Sequence, residues 1–131
     1  MHRTACIAAL LVFLSAVVAG AAPSPEAVAG KKVEARENFW ESIASDPVEE
    51  QYTSRELFHY ALALCEADVH LERVGRLFEL AAGMQQRDPD EPGYGNFYWY
   101  SDRPEVKDRN AVEFCMEAAT ILWIRHRDKL E

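Results

Sequence analysis

Apolar residues recur along this chain with the period of a helix. Leu57, Tyr60, Ala61, Leu64 and Cys65 fall at i, i+3, i+4, i+7 and i+8, the spacing of one buried helical face. Just ahead of them Thr53-Ser54-Arg55-Glu56 has the form of a capping box, with Thr53 as cap and Glu56 reaching back. Val74, Leu77, Phe78, Ala81 and Met84 or Gln85 mark another helix, entered through a turn near residues 67–70 with Asp68 as its cap. So short a connection sets these two helices antiparallel, as a hairpin. Upstream, Ser24-Pro25 opens a helix that carries Val33, Phe39, Trp40 and Ile43 and runs to about Ala44. Gly30 weakens its first half, and Asp46-Pro47 stops it. Downstream, a helix from about Pro104 or Asp108 to Leu130 places Ala111, Phe114, Cys115, Ala118, Leu122 and Arg125 or His126 on one face. Val112, Ile121, Trp123 and Ile124 widen its apolar belt beyond what a helix covered on one side requires. The pattern predicts an all-α fold of antiparallel helical hairpins, one domain over residues 22–131.

Residues 1–21 read differently. A short basic start at His2 and Arg3 precedes an uncharged apolar run from Ala5 to Ala19, and Ala19-Gly20-Ala21 supplies small residues for signal peptidase. A signal peptide cleaved after residue 21 or 22 is expected, and with it a secreted or periplasmic protein. The apolar run is too short to cross about 30 Å of hydrocarbon as a helix, so no stable membrane anchor is expected. Every acidic residue lies beyond the leader, and Arg3 within it. The remaining 13 basic and 22 acidic residues therefore give a formal charge of −9. So acidic a chain, with no Lys/Arg cluster longer than Lys31-Lys32, is not a nucleic-acid partner.

The segment between the third and fourth predicted helices, residues 87–103, is long and irregular, broken by Pro89, Pro92, Gly93 and Gly95. Tyr94, Phe97, Tyr98, Trp99 and Tyr100 crowd into it, five of the chain's 14 aromatic residues. Sugar rings stack their C–H faces on such side chains, and their hydroxyls pair with carboxylates, amides and guanidinium groups. Tyr94, Phe97, Trp99 and Tyr100 are the candidate stacking residues, with Asp108, Asn110 and Glu113 as candidate polar contacts. The competing reading is structural: Asp108 capping a helix, Asn110 and Glu113 bonding the loop, and the rings packing against the hairpin. Glycoside hydrolysis needs two carboxyls at defined separation, which Asp108 with Glu113, or Glu113 with Glu117, would have to supply. Nothing in the sequence gives either a catalytic role.

Other chemistries find less support. Glu56-x-x-His59 places a carboxylate and an imidazole one turn apart, but a di-iron bundle needs a second such motif. His70 and His126 have Ala67 and Trp123 where that glutamate would be. No metal site and no cofactor are expected. There is no GxSxG, and Gly93-x-Gly95 lacks the strand and third glycine of a dinucleotide loop. Cys65 and Cys115 are the two cysteines beyond the leader. They could join in a disulfide worth about 3–4 kcal/mol, or serve separately as small core hydrophobes.

Leu57 to Tyr100 and Asp108 to Leu130 together resemble the opening hairpins of large exported bacterial proteins built as six-hairpin α/α toroids. That superfamily holds glycoside hydrolases and polysaccharide lyases, the heparinase-like lyases among them. The resemblance rests on Gly95-Asn96-Phe97-Tyr98-Trp99-Tyr100, followed by Asp108-Arg109-Asn110-Ala111-Val112-Glu113-Phe114. It implies antiparallel helix pairs around a central cleft, with aromatic loops at one rim gripping polysaccharide. It also implies that these residues are the N-terminal part of a longer chain, whose later hairpins would carry any lyase or hydrolase chemistry. The 131 residues alone would then be inactive, and whether the parent is an enzyme stays open. The alternative is a complete small four-helix bundle that binds a protein partner without catalysis, through Ile121, Trp123 or Ile124.

Overall fold

A computed structural model describes residues 22–45 and 51–130 of the chain. The expected leader and the Asp46-Pro47 stop lie outside the described residues. Among these residues five α-helices follow in order: α1 (Pro25–Glu34), α2 (Glu37–Ser45), α3 (Ser54–Ala67), α4 (Glu72–Gly83) and α5 (Ala111–His126), the last continued by a 3-10 turn, Arg127–Lys129. Among the described residues there is no strand, only isolated antiparallel bridges between Thr53 and Tyr100 and between Gln85 and Phe97. The fold is all-α.

α3 is the axis on which the others pack: α1, α4 and α5 all lie against it. Leu57, Tyr60, Ala61, Leu64 and Cys65 have no exposed surface, as their helical spacing predicts. The capping box forms in full. The Thr53 hydroxyl accepts from the Glu56 backbone N–H at 3.1 Å, and the Glu56 carboxylate accepts from the Thr53 N–H at 3.0 Å. Two of the donors that a helix start leaves unpaired are thereby satisfied within four residues.

Three expected boundaries shift. The first helix is two, because Ala35 and Arg36 form a turn in which Arg36 donates to the Val33 carbonyl. The bend brings Phe39 edge-on to Tyr52 and Tyr60, at 6.5 and 5.9 Å between ring centres. It also brings Glu37 to Arg73 of α4, whose guanidinium donates to both carboxylate oxygens at 2.8 and 3.0 Å and to the Tyr60 hydroxyl at 2.8 Å. That guanidinium lies over the Trp40 ring, 5.0 Å from its centre, and it holds the Glu37 carboxyl below its ordinary pKa.

Asp68, expected to cap α4, instead ends α3. It takes the left-handed conformation (φ 56°), which Asp tolerates better than most side chains, and donates its N–H to the Leu64 carbonyl. Its carboxylate receives Lys129 Nζ at 2.6 Å, and the same ammonium donates to the Cys65 carbonyl at 3.0 Å. The C-terminus of α3 is thus closed from the far end of the chain. α5 begins at Ala111, later than expected, because the Asp108 carboxylate accepts the Asn110 N–H in a turn that precedes the helix.

Leu64 has no exposed surface and sits in the cluster shared by Val33, Ile43, Val74 and Leu77. Leu64→Ala should cost about 3 kcal/mol of unfolding free energy, within the range for cavities in packed cores, as measured by urea denaturation. A change below about 0.5 kcal/mol would mean that α3 is not the packing axis.

Candidate functional site

The aromatic segment is pinned at both ends by backbone pairing. On the α4 side, the Tyr98 N–H donates to the Met84 carbonyl, and Gln86 exchanges bonds with Gly95 and Asn96, all at 2.8 Å. On the α3 side, the Ser54 N–H donates to the Trp99 carbonyl and the Ser101 N–H to the Tyr52 carbonyl. Gly93 permits the tight part of the turn: its φ is +92°, and a Cβ there would sit 2.8 Å from Val106 Cγ1.

The side chain of Asn96 bonds this loop to the start of α5. Asn96 is buried, and its Oδ1 accepts from the Phe97 N–H at 2.8 Å and the Val112 N–H at 3.0 Å. Its Nδ2 donates to the Arg109 carbonyl at 2.8 Å. Asn110 occupies the cap position of α5 but makes no side-chain capping bond, so the helix is capped remotely, by Asn96. The sequence reading passed over Asn96. The available signal was a lone amide set between a glycine-rich turn and an apolar run.

The seven candidate contacts do not form one surface. Phe97, 8% exposed, packs edge-on to Phe58 at 5.6 Å between ring centres, together with Ala111 and Cys115. Its ring faces the interior and cannot stack on a ligand. Tyr94, 62% exposed, borders a separate shallow hollow beside Asn96, Arg109 and Val112. Asp108, Asn110 and Glu113 are exposed at the start of α5. Trp99 and Tyr100 are brought together elsewhere. They line a cleft of about 590 Å³ together with Arg55, Glu56, His59, Leu62, Ala63 and Glu66 of α3, Lys32 of α1 and Arg36 of the turn that follows it. Trp99 is half anchored, its ring 5.4 Å from that of Phe114, while Tyr100 is 41% exposed with the Arg103 guanidinium over it at 5.4 Å. The same two rings wall a smaller hollow on their other side, next to Arg103, Glu105 and Lys107.

The cleft carries mixed charge. Glu56 is held by its capping bonds and lies 3.9 Å from Arg36, and Glu66 lies 3.5 Å from Arg125. Burial is the main force that holds the His59 imidazole below the ordinary histidine pKa, with Arg55 adding to it and Glu117 opposing it. Its Nε2 is buried with no hydrogen-bond partner, so protonation there would be costly. Among the described residues no three His, Cys, Asp or Glu side chains converge to hold a metal.

Cys65 and Cys115 are both buried and both free thiols. Cys115 lies beside Ser54 at the start of α3, and Cys65 is eleven residues further along the same helix, ~16 Å of helical rise. A disulfide needs Cα atoms within about 7 Å, so the structure places the pair too far apart to join. Burial pushes both thiols above their ordinary pKa and leaves them unreactive.

No protein family, no curated protein and no solved structure is matched by the chain. Among the described residues no helix is long and apolar enough to cross a membrane.

Two outcomes are expected. Asn96→Ala leaves the buried N–H groups of Phe97 and Val112 without acceptors and should cost about 2–4 kcal/mol by chemical denaturation; a near-neutral result would refute remote capping. His59 has a lowered pKa in the folded state, so its contribution is complete above the unfolded-state value of about 6.5 and is lost as pH falls below it. Melting temperature should therefore fall between about pH 7 and pH 5, and His59→Gln should flatten that part of the profile. An unchanged profile in the variant would assign the titration elsewhere.

Proposed function

We propose that this chain is an exported helical-hairpin module that binds polysaccharide, of the kind that opens an α/α toroid, with the ligand in the cleft over α3. The observation that supports the reading is the cleft itself, where Trp99 and Tyr100 stand beside Arg36, Arg55, Glu56 and Glu66 within one cavity. Rings that offer a face, set among carboxylates and guanidinium groups, suit a sugar chain, which presents C–H patches and hydroxyls in alternation. The contact set is accordingly narrower than the sequence alone suggested: Trp99 and Tyr100 belong to it, and Arg36 and Arg55 join them. The reading is one of binding, and no residue of the chain is given a catalytic role.

Tyr100→Ala removes an exposed ring and should leave the melting temperature within about 2 °C of the parent, as exposed positions usually do. In native gels cast with soluble glucan, xylan or alginate, the parent should be retarded by at least one, and the variant should lose most of that retardation. Parent mobility unchanged in every gel, or retardation that survives in the variant, would dismiss the cleft as a sugar site.

A further inference from the structure

α5 has two contrasting faces. Ala111, Cys115, Ala118 and Leu122 are buried against the rest of the molecule, while Met116, Trp123 and Ile124 are 48%, 64% and 72% exposed on the opposite side. Glu113, Met116, Thr120 and Trp123 succeed one another at steps of three, four and three, the spacing of a seam between two helices, and Arg127 follows in the 3-10 turn that continues α5. Glu113 and Glu117 stand at the start of that seam and Arg127 just past its end, whereas Arg125 turns towards α3, where it meets Glu66 at 3.5 Å. None of Glu113, Met116, Thr120, Trp123 or Ile124 lines the cleft over α3.

We propose that this face is the interface with a second copy of the chain, with the two α5 helices antiparallel about Thr120. A helix that is acidic at one end and basic at the other is complementary to its own reverse. In that register, Met116 meets Ile124 of the second copy, Trp123 covers the stem of Glu117, and the Glu113 end meets the Arg127 end. A parallel pair would oppose glutamate to glutamate and arginine to arginine, with the helix dipoles aligned unfavourably. A two-fold axis makes each contact twice, so one self-complementary stripe suffices. The interface is small, at the low end of those that form specifically, which makes association dependent on concentration. The inference goes beyond the cleft reading, since the two surfaces share none of these residues.

Sedimentation equilibrium of the purified chain, from about 1 µM to about 1 mM, should show a reversible monomer–dimer step. Trp123→Glu should weaken it by about 30-fold or more, the effect of losing a central aromatic anchor, with the circular dichroism spectrum unchanged because the side chain is largely exposed. Glu113→Arg and Arg127→Glu should each weaken association, and together they should restore it. A chain that stays monomeric to about 1 mM, or a dimer indifferent to Trp123→Glu, would overturn the proposal. A double charge reversal no tighter than either single change would overturn the antiparallel register.

Discussion

The carboxamide of Asn96 makes three hydrogen bonds in a buried position, and the relation between the loop and α5 depends on them. A buried amide without partners costs more than its hydrogen bonds contribute when they are made. Asn96 can therefore sit there only if the Arg109 carbonyl and the Val112 N–H are in place. The constraint works in both directions. It places the start of α5 beside the 93–97 turn, and it fixes the turn so that Phe97 points inward against Phe58 while Trp99 and Tyr100 emerge two and three residues later at the cleft. Rim and helix are tied by the same carboxamide.

The cleft is a consequence of how α3 is surrounded. α1, α4 and α5 take most of its circumference, and the stripe they leave uncovered carries Arg55, Glu56, His59 and Glu66, residues that keep their charge or polarity in partial contact with water. Burial continues up to the edge of this stripe: Ala63 is buried and lines the cleft, and the His59 imidazole is held towards its neutral form. A partly buried floor with charges at its margins strengthens polar contacts made within it. Arg73 has the corresponding role on the other side, tying α2 to α3 and α4 through Glu37 and Tyr60.

What was legible in the sequence was what acts over one or two helical turns. The Thr53–Glu56 box, the buried face of α3 and the Val74–Leu77–Ala81 face of α4 depend on spacings of three and four, and they stand as read. What was not legible needed partners far along the chain. Asn96 finds its acceptor and donor 13 and 16 residues away. Asp68 looked like an N-cap because its type suits one, yet the chain turns left-handed there and Lys129, 61 residues on, takes the carboxylate. The break at Ala35–Arg36 has no Pro or Gly to announce it and accompanies contacts that Phe39 and Glu37 make with α3 and α4. Four of the clustered aromatics, Tyr94, Phe97, Trp99 and Tyr100, read as one stacking surface. The glycine turn and the Asn96 bonds send them to different places, with Phe97 into the core and Tyr94 to a hollow separate from the cleft.

The apolar belt of α5 divides on the same grounds. Its inner face uses small residues, Ala111, Cys115 and Ala118, which let α5 approach α3 closely and end its burial with Leu122. The larger side chains, Met116, Trp123 and Ile124, are then left mostly on the outside. Their exposure carries a cost in solubility that an otherwise acidic surface offsets. A helix that buries its small side and exposes its large one is shaped for a second contact. Because Asn96 fixes where that helix begins, the orientation of the seam is set by the same bonds that hold the rim of the cleft.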